Sequence, residues 1–379
     1  MLFPKGFLWG AASASYQVEG GIENNDWAQA AREGKVPVCG KATDHYNRYE
    51  ADFDIAKSLG HNAHRLSIEW SRIEPEESRF NEDEIEHYRK VLRSLRSRGL
   101  EPFVTLWHFT LPLWFSNKGG FQNPNAPEIF ARYCEYVISK LGNEANFWMT
   151  INEPLVWASI GYVAGKWPPF KKNIFSFHFV TNKLINAHKL AYHKIKKINP
   201  NLSVGIAKHN IFFDSDYWPW NIVISKTVCW YWNHRFLSAI DNHQDFIGFN
   251  FYNHRRFGNG PDYPKTEMGW DILPEGIFYV LQELQRYNKP IYITENGIAD
   301  STDTKRADFI SNYLKNVHRA INDGVDVRGY FYWSFMDNYE WAYGFEKRFG
   351  LVEVNYETLE RKIRPSAFVY KKIIETGKI

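Results

Sequence analysis

"KPIYITENG", residues 289–297, decides how the chain is built. From Pro290 to Thr294 it is apolar, aromatic or β-branched with little alternation, the pattern of a strand buried on both faces in a parallel sheet. The run ends on Glu295 and is stopped at once by Asn296 and Gly297. A carboxylate at the end of a buried strand must be desolvated or paired, so a strand that delivers one invites a search for a partner acid.

Seven further runs share the pattern: "FLWGAAS" from Phe7, "AHRLSIEW" from Ala63, "LEPFVTLW" from Leu100, "ANFWMTINE" from Ala145, "LSVGIAKH" from Leu202, "DFIGFNFY" from Asp245 and "VRGYFYWSF" from Val327. Amphipathic helical segments lie between them. In "NEDEIEHYRKVLRSLRSRG" and "TKRADFISNYLKNVHRAINDG", Asn81 and Thr304 sit near the starts and Gly99 and Gly324 follow the ends. Eight strand–helix units in 379 residues favour an α/β fold with one closed (β/α)₈ TIM barrel spanning residues 1–379 as a single catalytic domain. Periodicity alone leaves an open doubly wound sheet as the alternative. The absence of GxGxxG or GxxxxGK[ST] after the first strand leans toward the barrel, as does the lack of any linker-like segment.

Composition narrows the chemistry. Lys plus Arg number 46 against 43 Asp plus Glu, so no strong overall field draws nucleic acid or an anionic membrane, and neither is an expected partner. Hydrophobic residues at 44% suffice for a large core. The aromatic share of 17% suits sugar faces and core packing equally. Three widely spaced cysteines, Cys39, Cys134 and Cys229, form no CxxC, and no HExxH is present. Free thiols are therefore expected, with no metal and no cofactor. The start of the chain lacks a secretory pattern and no run is long enough to span a bilayer, so a cytoplasmic location is expected.

Barrel enzymes carry their reactive groups at the C-terminal ends of the strands. Those ends offer Gln17 and Glu19, Arg65 and Glu69, His108, Asn152 and Glu153, Asn250 and Tyr252, Glu295, and Trp333 followed by Glu340 and Trp341. Glu153, in "TINEP", is the second acid that Glu295 calls for. Two carboxyl groups flanking one bond are what glycoside hydrolysis requires. Taken singly, a Glu before Asn-Gly is more often a turn residue, and a lone histidine such as His108 more often a satisfied core group. Their coincidence at strand ends gives the functional reading its weight.

The stretches "FLWGAASASYQVEG", "DHYNRYEADFDIAKSLGHNAHRLSIEWSRI", "TLWHFTLPLW", "TINEP", "DFIGFNFY", "YITENG" and "YFYWSFMDNYEWAYGFEKRFGL" resemble, in order and over nearly the whole chain, the signatures of family 1 glycoside hydrolases, the β-glucosidase and β-galactosidase group. The resemblance implies a (β/α)₈ barrel and a retaining, cofactor-free hydrolysis of small-molecule β-glycosides. It implies Glu153 as acid/base and Glu295 as nucleophile, with Arg65 and Tyr252 contacting the nucleophile and Asn152 the sugar 2-hydroxyl. It assigns glycone binding to Gln17, His108, Glu340 and Trp341, with Trp333 as aromatic platform. Asn250 and Phe349, in the same stretches, join the expected substrate-binding set.

Phe147, Trp148 and Trp157 are the expected source of the desolvation that keeps Glu153 protonated. Glu340-Trp341 stands where relatives acting on 6-phosphorylated sugars carry a Ser- and Lys-containing pocket, so an unphosphorylated glucosyl, galactosyl or fucosyl unit is expected. Most members are longer. The shortfall here lies largely between Trp157 and Glu295, which predicts a more open mouth and weaker aglycone selection. It also keeps open a transglycosylase using the same carboxylates, and a catalytically weak sugar-binding protein. Glu69 replaces a serine common in the family, with no role legible, and the oligomeric state is not legible either.

Overall fold

A computed structural model describes residues 2–379. Eight parallel strands close a barrel in sequence order: β1 (Leu8–Ala12), β2 (Ala63–Ser67), β3 (Glu101–Trp107), β4 (Phe147–Asn152), β5 (Ser203–Ser215), β6 (Phe246–Phe257), β7 (Ile291–Asn296) and β8 (Val327–Trp333). The open-sheet alternative is excluded, because β1 pairs with β8 from Leu8 opposite Gly329 to Ala12 opposite Trp333. A long helix follows each strand: α1 (His45–Ser58), α2 (Glu82–Ser97), α3 (Ala126–Leu141), α4 (Ile174–Ile198), α5 (Pro219–Cys229), α6 (Glu275–Leu284), α7 (Arg306–Asn322) and α8 (Pro365–Thr376).

The helix ends follow side-chain chemistry. Asn81 caps α2, its Oδ1 accepting from the amides of Asp83 and Glu84, and Gly99 after it holds φ +68°, where a Cβ is disfavoured. At α7 the cap is Asp300, whose Oδ2 accepts from the amides of Lys305 (2.8 Å) and Arg306 (3.0 Å). Thr304 instead shares a hydrogen bond with Thr302.

The lower barrel is plugged with rings. Phe103 stacks on Phe147 with centroids 4.2 Å apart and meets Phe331 at 4.7 Å and Tyr292 at 5.1 Å. This apolar layer closes the bottom and leaves polar side chains to the layer above. Two strands depart from the expected lengths: β5 and β6 run on past the barrel as a two-stranded parallel ribbon, paired out to Ser215 opposite Phe257. Polar groups hold that ribbon, His254 bridging Asp214 and Asp271 at 2.9 Å each, which is why the apolar pattern did not reveal it. No helix among the described residues is long and apolar enough to cross a membrane.

Candidate active site

The strands do not simply present Glu153 and Glu295 by alternation; local irregularities aim them. The β7–β8 register shifts between Ile293 and Asn296 and the β6–β7 register between Phe249 and Asn250, breaks of the kind that re-aim a side chain. Beyond β4, whose register with β5 also shifts, Glu153 sits at φ +42° immediately before Pro154, the first residue of a short helix. A non-glycine residue in that region is strained by about 1–3 kcal/mol. Phe109, beside His108, and Trp341, beside Glu340, also hold positive φ.

A hydrogen-bonded floor joins the acids. The buried Arg65 guanidinium donates to Glu295 Oε1, to Asn152 Oδ1 (2.7 Å), to the Thr294 carbonyl (3.2 Å) and to Thr105 Oγ1 (3.3 Å). Tyr252 Oη donates to the other Glu295 oxygen at 2.6 Å. Both oxygens of Glu295 therefore receive a donor, one carrying a full positive charge. Asn250 Nδ2 donates to Glu153 Oε1 at 2.8 Å and to Asn152 Oδ1 at 3.3 Å, while its Oδ1 accepts from Thr294 Oγ1 at 2.6 Å. Because Arg65 fixes Asn152 Oδ1 as acceptor, Asn152 Nδ2 donates to His108 Nε2 at 3.2 Å. That leaves the imidazole proton on Nδ1, in a ring that burial keeps neutral.

Burial raises the Glu153 carboxyl to about 8, and the neighbouring negative charge of Glu295 adds to the shift; the Asn250 donor opposes it, followed by Arg65 and Lys208. The aromatic residues expected to desolvate Glu153 are elsewhere. Phe147 belongs to the lower plug, Trp148 is tied by its indole N–H to the Ala145 carbonyl, and Trp157 packs against Trp107, Phe121 and Tyr162 outside the cleft lining. His209 and Trp232 share the cleft with Glu153 instead.

Both glutamates open into a cleft of about 780 Å³, lined also by His108, Asn152, Tyr252, Trp333, Glu340, Trp341 and Phe349. Arg65 and Asn250 form the floor beneath, and Gln17 lies behind Glu340, its Nε2 donating to Asn338 Oδ1 (2.9 Å) and the Tyr339 carbonyl (2.8 Å). Three buried polar atoms on this side lack a protein partner: Gln17 Oε1, Glu340 Oε2 and His108 Nδ1. Burial and the Glu295 charge push the Glu340 carboxyl up to about 8.

Several cleft residues escaped the sequence reading. Lys166, Trp167, His209, Trp232 and Trp270 line it. Lys208 lies buried beneath, its ammonium bonded to the His209 carbonyl at 2.5 Å and lowered to about 7 by desolvation, with Glu153 pulling it back up. A buried lysine on a strand is the one signal that could have found it. Glu69 acquires a role: it accepts from Ser15 Oγ (3.1 Å), Ser71 Oγ (2.5 Å) and Thr110 Oγ1 (2.9 Å), tying together the segments that follow β1, β2 and β3. Among the described residues the one cluster with metal-ligand character is Cys229, His234 and Glu283. It lines no part of the cleft, and its members satisfy one another, thiol to carboxylate at 3.6 Å and imidazole to carboxylate at 3.3 Å.

A closed barrel that gathers two glutamates, their donors and flat aromatic rings into one sugar-sized cleft is a glycoside hydrolase. The sequence matches the model of glycosyl hydrolase family 1 over residues 1–214 and 231–379, and the chain belongs to that family. It is 33% identical to β-glucosidase A of Acetivibrio thermocellus, covering 99% of this chain and 98% of that one. It is 31% identical to a β-galactosidase of Pyrococcus woesei, covering 98% and 97%. Among solved structures, the β-glycosidase from Pyrococcus horikoshii superposes with a TM-score of 0.93 at 41% identity, over 100% of this chain and 96% of that one. The β-glucosidase from Thermotoga maritima in complex with glucoimidazole gives 0.95 at 31%, over the whole of both chains.

Proposed function

We propose that the chain is a retaining, exo-acting β-glycosidase, a single cytoplasmic catalytic domain that removes terminal unphosphorylated β-D-glucosyl, galactosyl or fucosyl units. What carries this reading is the unequal treatment of the two glutamates: Glu295 faces the Arg65 guanidinium and the Tyr252 hydroxyl, whereas burial leaves Glu153 its proton until about pH 8.

Glu295 attacks the anomeric carbon. The glycosidic C–O bond breaks, and the departing oxygen takes the Glu153 proton. Forming the ester removes the charge on Glu295, one of the two causes that raise the Glu153 carboxyl. Glu153 then accepts a proton from water, which attacks the same carbon from the face the leaving group vacated and releases Glu295. Asn152, held between Arg65 and His108, is placed for the sugar 2-hydroxyl, where a bond that strengthens in the transition state lowers the barrier.

The unpartnered Gln17 Oε1, Glu340 Oε2 and His108 Nδ1 supply the partners a buried glycone's hydroxyls require. Trp333, whose ring lies nearly parallel to that of His108, offers the flat apolar face. Relatives named both β-glucosidase and β-galactosidase support a glycone choice within this group. Outward, Val156, Ile160, Trp167, Trp232, Met268 and Trp270 line the cleft and favour an apolar aglycone, with weak selection among aglycones because the connecting segments are short.

The test is Glu295→Gly with an activated β-glucoside. Hydrolysis is abolished, and added azide or formate restores turnover with inverted product; rescue with retained configuration, or none with either anion while Glu153→Gly is rescued, refutes the assignment.

A further inference from the structure

The small net charge conceals a lopsided distribution. Residues 154–240 contain 11 Lys and Arg against two Asp and no Glu, which leaves 35 basic against 41 acidic residues in the rest of the chain. Between Glu153 and Asp214 no acidic residue occurs at all. Lys171, Lys172, Lys183 and Lys226 form no ion pair among the described residues, whereas outside this sector Arg32, Arg48, Arg89 and Arg328 each pair with an acid.

The same sector carries the part of the chain that the family model does not match, residues 215–230. That segment builds α5, and its apolar side chains face outward. Trp218 is 62% exposed, Trp220 69% and Trp230 55%, with Val223 and Ile224 also exposed. Positions 220, 223, 224 and 230 fall on one helical stripe. A helix whose apolar stripe faces solvent has nothing in its own fold to cover it.

The start of α4 extends the patch. Phe175, 81% exposed, and Phe179 lie on the same face as His178 and Asn182. His178 Nδ1 pairs with Tyr231 Oη at 2.9 Å and Asn182 Oδ1 accepts from Arg235 at 2.7 Å, both just beyond Trp230. The patch borders the cleft mouth, because Lys166 and Trp232 line that cleft.

We infer that α5 and the N-terminal turns of α4 form an interfacial docking surface for an anionic lipid bilayer, with the tryptophans seated at the headgroup level and the uncompensated lysines against the lipid phosphates. Charge complementarity selects this occupant. A second copy of the chain would bring together two faces on which cations outnumber acids, Asp216 beside Trp218 being an exception, which is repulsive, whereas exposed Trp and Phe beside unpaired Lys is the composition of a bilayer-surface helix. The Lys array steers approach and the apolar stripe provides the short-range hold.

The experiment is co-sedimentation with phosphatidylcholine vesicles, with and without phosphatidylglycerol, at low and high salt. The full chain sediments with the phosphatidylglycerol vesicles, and binding falls with salt. Trp218→Ala/Trp220→Ala/Trp230→Ala and Lys171→Glu/Lys172→Glu/Lys226→Glu each weaken partitioning at least about tenfold. Hydrolysis of p-nitrophenyl β-glucoside and the melting temperature stay near wild type in both variants, showing that they fold. No sedimentation with anionic vesicles overturns the inference, as does undiminished binding by the tryptophan variant. A dimer that the tryptophan variant dissociates, without vesicle binding, overturns it in favour of self-association.

Discussion

Asn250→Ala tests the electrostatics of the cleft through one bond. Asn250 Nδ2 donates to Glu153 Oε1 at 2.8 Å, a contact that favours the ionised acid. A hydrogen bond to a charged group contributes about 1.5–3 kcal/mol, and about 1.4 kcal/mol corresponds to one pKa unit. Losing it raises the Glu153 carboxyl from about 8 by about 1–2 units. The sign follows from the role: Glu153 acts protonated in the first step, so activity is present below its pKa and lost above it. The basic limb of kcat/KM moves upward. Phenyl β-glucoside is the substrate of choice, because its poor leaving group needs the proton. Asn152 keeps its bond from Arg65, so the floor stays in register. A basic limb that stays in place or moves down refutes the reasoning.

Lys208 lies near 7 and is mostly neutral where Glu153 titrates, so Lys208→Met moves the basic limb up far less than Asn250→Ala does, as a pH profile will show. Glu153→Ala spares dinitrophenyl glycosides far more than phenyl glycosides, and equal losses on the two would count against its acid role. Glu340→Gln puts a carboxamide in place of a carboxyl that is mostly protonated at neutral pH and lowers kcat/KM for glucosides about 2- to 10-fold, the loss expected for a neutral hydrogen bond. The same change alters stability with pH. The Glu340 carboxyl lies near 8 when folded and near its ordinary acidic value when unfolded, so wild type loses stability as pH rises between the two values. The melting temperature of the Gln variant relative to wild type therefore climbs over that window and levels off above it. Glu69→Ala strands the hydroxyls of Ser15, Ser71 and Thr110 and costs about 3 kcal/mol in denaturant unfolding, at about 1 kcal/mol per bond; Glu69→Gln recovers most of it.

The barrel was legible because parallel strands buried on both faces leave unbroken apolar runs, and all eight runs contain the core of a strand. The outer halves of β5 and β6 were not, since Asp214, His254 and Arg256 interrupt the pattern and are held by ion pairs distant in sequence. The polar residues at strand ends could be gathered from position alone, but not their division into cleft wall, floor and rear support. The rings near Glu153 in sequence do not make its environment, because closeness along the chain does not fix closeness in space: Phe147 lies low in the barrel and Trp157 is buried against Trp107 and Phe121. Lys208 ends the apolar run of β5, and its burial beneath the cleft follows from the closed barrel, not from its neighbours in sequence. The basic sector vanished into a total that sums to +3.

The seam between β1 and β8 reaches into biosynthesis. Ala12 and Trp333 are paired neighbours in the finished ring, yet nearly the entire chain must leave the ribosome before they can meet. Glu153, Asn250 and Glu295 emerge one after another onto an unclosed sheet with a raw edge at each side. A nascent chain in that condition carries the hazards of high contact order and unpaired strands, and its catalytic groups come into alignment only at the final turn of the barrel.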